Sequence, residues 1–302
     1  MKILRNQGFG ETRWFRVADD DSTVEVRVVR DLTWNYGDVA EARLTAYQAA
    51  VRGYFAQTDR GDIFVPGADL GPLGTVVQVQ IDREAYQDKC ARGQVSETPI
   101  IRSPITEWET PDTPPIQDIS DVEADERIAD AMQADVSVAG GGLLHIERTR
   151  VGWNLDVDTG TGSDIRAVNA AAVSEIRRQI VLKNMGGLIL IDLAGSKRTT
   201  YRRQWEQVLQ QVGDDMTTLY GWTQAGLYEI GRQRARASLW DTQADTLPVC
   251  VYYRVRRALA RCRTGRVVVY AAPTVVDLLT RTHIRAVPVF DKPTAYFDIR
   301  QE

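Results

Sequence analysis

Apolar and polar positions alternate with a clear period of two through most of "TVEVRVVRD", residues 23 to 31. Period two over that length predicts a strand with one covered face, and "KILRN" at residues 2 to 6 reads the same way. From Gly37 to about Val95 the pattern breaks into short runs punctuated by glycine and proline: "GDVAEARLTAY", "AAVRGYFAQT", "GDIFVPG" and "TVVQVQIDREAY". Strands this short at this spacing predict a small barrel or sandwich. Residues 97 to 120 then hold five of the eleven prolines, around "SPITEWETPDTPP". That composition predicts an extended connector with no core of its own.

Beyond the connector the period changes. "ISDVEADERIADAMQA" places Ile119, Val122, Ile128 and Met132 at roughly helical spacing, with acids at the start, where the helix dipole favours them. "AGGGLLHIERTRVGWNLDV" reads as a glycine turn and two strands. "SDIRAVNAAAVSEIRRQIVLKNMGG" predicts a long helix with Asp164 at its N-cap. Its stripe is Ile165, Val168, Ala172, Ile176 and Ile180, and Gly186 and Gly187 stop it. "LILIDL" returns as a strand, so a strand–helix–strand unit with a buried parallel pair is expected. A second helix carries Trp205, Val208, Leu209 and Val212. From "VCVYYRVRRALARCR" the tail reads helix, strand "RVVVYAA", helix "PTVVDLLTRTH", strand, a small α/β module.

Composition narrows the class. With 302 residues, 43% of them hydrophobic, the chain can bury a core and is long enough for two domains. Runs such as "GLILI" and "VVVYAA" fall far short of the ~20 residues a membrane span needs. "MKILRNQGFG" turns polar at once, unlike a secretory signal. Cys90, Cys250 and Cys262 have no CxxC spacing, hence no disulfide framework and, by themselves, no zinc knuckle. A soluble cytoplasmic protein is expected. The net charge of −4 argues against a nucleic-acid partner, but it is unevenly spread. Residues 107 to 130 carry nine acids and one base, whereas 197 to 266 carry thirteen bases and six acids. Local patches steer a polyanion, although a solvated surface accounts for them equally well.

Two strand-like runs end on a carboxylate, Asp156 in "NLDVD" and Asp192 in "LILID". In α/β units functional groups collect at the carboxyl ends of strands. Two ionised carboxylates side by side repel unless a divalent cation sits between them. Magnesium suits such a place because it needs few protein oxygens and keeps several waters. Asp158 would point the same way and serve as a third, outer ligand. The competing reading has Asp156 and Asp158 capping the "DTGTG" turn and Asp192 capping the helix after its strand. His145 and His283 are the only histidines, no GxSxG is present, and "GSDIR" and "AGSKRTT" lack Walker spacing. Histidine-based hydrolysis and phosphate-loop chemistry are therefore not expected. His145, in "LLHIE", reads as structural.

Residues 140 to 239, taken as one string, resemble the ribonuclease E/G family. "GGGLLHIERTRVGWNLDVDTGTG" looks like its glycine turn, a strand with an isoleucine–acid pair, and its metal strand. "NAAAVSEIRRQIVLKNMGGLILIDL" is similar to the helix and second aspartate strand that follow, and "GLYEIGRQR" to a further family segment. The resemblance implies an α+β multidomain chain. In it, residues 1–36 are N-terminal strands packing with the catalytic part, and 37–96 an inserted OB-fold (S1-like) RNA-binding barrel. Residues 97–120 form the Pro-rich acidic connector, 121–242 the metal-dependent α/β catalytic domain (DNase I-like and RNase H-like in the family), and 243–302 a small C-terminal α/β domain.

The same resemblance implies an endoribonuclease acting on single-stranded RNA and leaving 5′-phosphate and 3′-hydroxyl ends. Asp156 and Asp192 match the aspartates that hold magnesium, with manganese as the substitute ion. Phe55 and Phe64 match aromatics that stack on bases, with Lys89 beside them. Burial in the barrel core is the rival for the two phenylalanines. Arg232, Arg234 and Arg236 share one face if extended, a candidate phosphate track. The chain also departs from the pattern. Asp158 replaces an asparagine, Arg150 a glutamate, and Gly195 an aspartate. "LPVC" keeps only Cys250 of the zinc link, so zinc is not expected and a homodimer would form without it. The short stretch after the barrel implies a compact form lacking the 5′-sensor region. The alternative is an RNA-binding protein on the same scaffold with weak or no catalysis.

Overall fold

Alternating strands must cover their apolar face, and around residues 39 to 95 they do so with one another. In the computed structural model, which describes all residues except 101–104, 107, 109–114, 163, 196–198, 243–254, 257–264, 272–294 and 302, the chain forms two units. One comprises Met1–Asp21, Arg27–Ala124 and Ala235–Glu302, the other Ser22–Val26 and Asp125–Arg234.

The first strands are β1 (Lys2–Gly8), β2 (Glu11–Val17) and β3 (Thr23–Arg30), in the order β3-β2-β1. β2 escaped the sequence reading because two of its four inward residues are charged. Glu11 and Arg13 are buried beside Phe15 and Val17. Glu11 accepts from Arg13 and Arg30, each at 2.7 Å, and from Arg256 at 3.3 Å.

The barrel follows: β4 (Val39–Gln48), β5 (Gly53–Thr58), β6 (Gly61–Pro66), β7 (Val76–Arg83) and β8 (Arg92–Val95) close in the order β4-β5-β6-β8-β7. Leu44, Tyr54, Ile63, Val65, Val79 and Ile81 fill it, with Trp34 packed against them. The architecture is compatible with an OB-like barrel. β8 closes it with four residues, too few for a pattern to show.

The proline-rich connector does more than connect. Ile105 and Trp108 are buried with Ile3, and the Arg27 guanidinium lies 4.4 Å over the Trp108 ring. β9 (Gln117–Asp118) then pairs in parallel with β1. Proline excludes regular elements from such a stretch, but it does not stop single side chains from anchoring it, and the expectation of no core contribution is corrected.

Next comes α1 (Asp121–Ala131), which buries Ala124, Ile128 and Ala131. Val122, assigned to its stripe from spacing, is 67% exposed. The second unit is built on a mixed sheet of β10 (Asp135–Val138), β11 (Gly142–Arg148), β12 (Gly152–Asp158), β13 (Gly187–Asp192), β14 (Thr217–Trp222) and β15 (Tyr228–Arg232), ordered β10-β11-β12-β13-β15-β14. Only β12 and β13 run parallel, joined through α2 (Ile165–Leu182). The Asp164 side chain caps α2 by accepting from the N–H groups of Arg166 and Ala167. Val168, Ala172, Ile176 and Ile180 are buried as the stripe requires, whereas Ile165 is exposed.

The covered face of this sheet holds Leu144, Ile146, Leu155, Val157, Ile189 and Ile191. The other face does not match the expected buried pair. On it Asp156 and Asp158 are exposed, and Asn154, Leu188, Leu190 and Asp192 are half-buried.

α3 (Thr199–Leu209) buries Trp205 and Leu209, and Val212 follows in a short 3-10 turn. The chain ends with α4 (Leu239–Thr242) and the parallel pair β16 (Gly265–Ala271) and β17 (Ala295–Gln301). Of the two tail helices expected from sequence, only Val255 and Arg256 are described, both helical and buried; the rest, with Cys250, Cys262 and His283, lies outside the described residues.

Candidate active site

β12 and β13 run in register, with Asn154 opposite Leu190 and Asp156 opposite Asp192. Neighbouring strands lie ~4.8 Å apart. The two aspartates therefore leave adjacent backbone positions on one face, with Leu155 and Ile191 anchoring the strands from the other side.

α2 fixes the end of β13. Asn169, fully buried in its second turn, donates from its side-chain amide to the Ala194 carbonyl at 2.9 Å. Its side-chain oxygen accepts from the Ala194 N–H at 3.2 Å. Gly195, where the family pattern has an acid, sits at φ +75°, a region an aspartate would occupy only with strain.

Of the two readings of Asp158, the structure shows the turn cap. Asp158 shares the face of Asp156, and its Oδ1 accepts from the Gly160 N–H at 2.8 Å, holding the glycine turn. Arg150 lies in the tight Thr149–Gly152 turn, at the opposite end of β12 from Asp158.

Register also reveals partners the sequence reading missed. His145 faces Asp156 across the antiparallel β11–β12 pair, and Asp135 faces His145 from β10. His145 Nδ1 lies 2.7 Å from Asp135 Oδ1. Asp135, His145, Asp156 and Asp192 thus form one row across four strands. No spacing in the sequence signals it, because a row runs at right angles to the chain. Among the described residues no group of three or more His, Cys, Asp or Glu side chains is arranged to hold a metal.

On the barrel, Phe55 and Phe64 are directly opposite across β5 and β6 and meet edge to face with centroids 5.9 Å apart. They lie outside the barrel core. Phe55 is 37% exposed, and the Phe64 ring rests on Gly53, where an added Cβ would come within 2.2 Å of it. Lys89 is exposed at a hairpin end, its Nζ 5.5 Å over the Tyr86 ring. Lys89 and Tyr86 form an isolated antiparallel bridge.

The arginines do not share a strand, because β15 ends at Arg232. The Arg232 side chain, 5% exposed, is bound to Asp214 at 2.9 Å and donates to the Met185 carbonyl at 2.9 Å. Arg234 donates to the Gly186 carbonyl at 3.0 Å, and the Arg236 guanidinium lies 4.7 Å over Tyr36.

A closed five-stranded barrel and a mixed sheet covered by helices define the class as α+β. The chain belongs to the ribonuclease E/G family, whose model matches residues 75–235. Ribonuclease G of Escherichia coli strain K12 is 30% identical over 190 residues, 55% of this chain and 38% of that protein. Ribonuclease G of Haemophilus influenzae is 31% identical over 193 residues, with the same 55% and 38% covered. The chloroplastic ribonuclease E/G-like protein of Arabidopsis thaliana is 27% identical over 278 residues, 82% of this chain and 26% of that protein. The matched part therefore spans 38% of the length of the Ribonuclease G proteins.

Proposed function

We propose that this chain is a metal-dependent endoribonuclease that cuts single-stranded RNA, leaving 5′-phosphate and 3′-hydroxyl ends. The observation that carries the reading is the register of Asp156 with Asp192 on one open face, in a member of this family. Magnesium fits the donors. Both are hard carboxylate oxygens, and the face is exposed enough for water to fill the remaining positions. Manganese has the same preference for oxygen. Asp156 and Asp192 would hold the ion. When bound, it lowers the pKa of a water molecule and stabilises charge on the phosphate.

The chain's own residues do the rest. Asn169 fixes the turn behind Asp192. Asp158 steadies the loop after β12 as an outer carboxylate. Phe55 and Phe64 offer ring faces to bases whatever their identity, and Lys89 offers charge to the backbone. Arg234 and Arg236 remain candidates for phosphate contact, whereas Arg232 acts as an internal brace.

The test is a 5′-labelled, AU-rich single-stranded RNA incubated with and without magnesium, alongside Asp192→Asn. Metal-dependent cuts lost in the variant support the enzyme. A gel shift without cuts supports a binding protein on the same scaffold, the reading favoured by the use of Asp158 in the turn. Because the stretch after the barrel is short, 5′-monophosphate and 5′-triphosphate substrates should be cut at similar rates.

A further inference from the structure

The β14–β15 edge of the same sheet carries a feature that the carboxylate pair does not use. Leu219 faces Ile230 and Gly221 faces Glu229, so Tyr220 is the extra residue of a β-bulge. A bulge re-aims the side chain it carries. Here the ring is laid over Gly231, where an added Cβ would come within 2.8 Å of Tyr220 Cε2. Any side chain at Gly231 would displace the ring. Tyr220 nevertheless stays 63% exposed. Gly231 is opposite Leu188 and Glu229 opposite Leu190, so both lie on the face that carries Asp156 and Asp192. Leu188 and Asp192 are four residues apart, about 13 Å of strand.

A pocket of about 650 Å³ opens there, lined among others by Leu188, Thr218, Tyr220, Glu229 and Gln233. That volume is in the range of small-ligand sites. Its chemistry does not suit a phosphate. Arg232, in its wall, is committed to Asp214 and Met185, and Asp215 and Glu229 add negative charge. What it offers is a flat ring, hydroxyls, an amide and a carboxylate, which are groups for an uncharged base. The base face can lie on Tyr220, and Glu229 can accept from an exocyclic amine, as carboxylates do from cytosine.

We propose that Tyr220 and Glu229 form a nucleobase subsite on the open face, taking an amine-bearing base of the strand whose phosphate lies at Asp156 and Asp192. The subsite rests on the ribonuclease reading for the identity of that strand.

The experiment uses Asp192→Asn protein and short single-stranded RNAs carrying the fluorescent base 2-aminopurine at successive positions. Stacking should quench the fluorescence at one or two adjacent positions. The quenching should vanish in Tyr220→Leu, with affinity at least about fivefold lower, and persist in Tyr220→Phe. Cytosine at that position should bind at least about fivefold better than uracil, a preference lost in Glu229→Gln. Quenching at no position, or quenching unchanged in Tyr220→Leu, overturns the subsite. If Asp192→Asn is inert in cleavage while Tyr220→Leu binds like its parent, only the subsite fails. If Asp192→Asn still cuts, the reading of Asp192 fails while the quenching result stands on its own.

Discussion

Asn169 and Ala194 exchange two hydrogen bonds, and Ala194 stands two residues after Asp192. One helix side chain thereby sets the exit of the strand that carries a candidate metal ligand. Asn169→Ala leaves a partly buried backbone N–H and carbonyl without that partner, a loss of about 1–3 kcal/mol. Thermal unfolding should show this. Single-turnover cleavage should slow while RNA affinity holds, and equal loss of both would argue against a role confined to Asp192.

Acid should loosen the first unit through Glu11. Burial pushes its carboxyl up, but Arg30 and Arg13 outweigh that and hold it below the ordinary carboxylate range. A folded pKa below the unfolded one gives stability that is complete above the unfolded value, ~4.3, and lost as pH falls through the folded value. Denaturant unfolding should therefore show falling stability below about pH 4. Glu11→Gln should remove much of that slope and, by taking away the carboxylate that Arg13 and Arg30 bond and that Arg256 shares with Asp121, cost about 3–5 kcal/mol at neutral pH.

Alkali should act in the opposite sense through Lys183. Burial, and then the nearby Arg178 charge, lower its ammonium pKa from 10.5 to about 8, while Gln179 Oε1 accepts its hydrogen bond. Between those values the unfolded chain holds a proton that the folded one has released. Stability of the second unit should thus rise with pH from about 8 towards 10.5. Lys183→Met should flatten that rise and stabilise the protein at pH 7, measured by urea titration.

Arg232→Ala is expected to behave as a stability variant. It unpairs Asp214, whose carboxyl burial would raise but which hydrogen bonds from Thr217 and the Arg232 charge hold low. Loss of at least about 3 kcal/mol is expected, with the salt dependence of RNA binding unchanged. A smaller salt slope would instead return Arg232 to the phosphate track.

Phe55→Ala should weaken single-stranded RNA binding by about 1–3 kcal/mol with little change in melting temperature, because its ring is partly exposed. Phe64→Ala should lower both, since its ring also covers Gly53. Fluorescence anisotropy against an oligonucleotide, paired with a melting curve, separates the two effects.

Local chemistry made much of this molecule legible in one dimension. The Asp164 cap, the Val168–Ile180 stripe and the strand ending on Asp192 follow from spacing, because a helix repeats every 3.6 residues and a strand every two. β2 was hidden because its inward row includes Glu11 and Arg13, and β8 because four residues carry no period. Trp108 escaped notice because a proline-rich context says nothing about a single anchored ring.

The sequence by itself determined which residue types were present, the elements whose apolar period is unbroken, and that two strands would end on carboxylates. Only tertiary structure decided which of those residues became neighbours. Pairing register runs across the chain, and it put Asp156 beside Asp192, His145 beside Asp156, and Tyr220 on Gly231. The same pairing turned Arg232 inward to Asp214, since a buried guanidinium must find an anion wherever the fold supplies one.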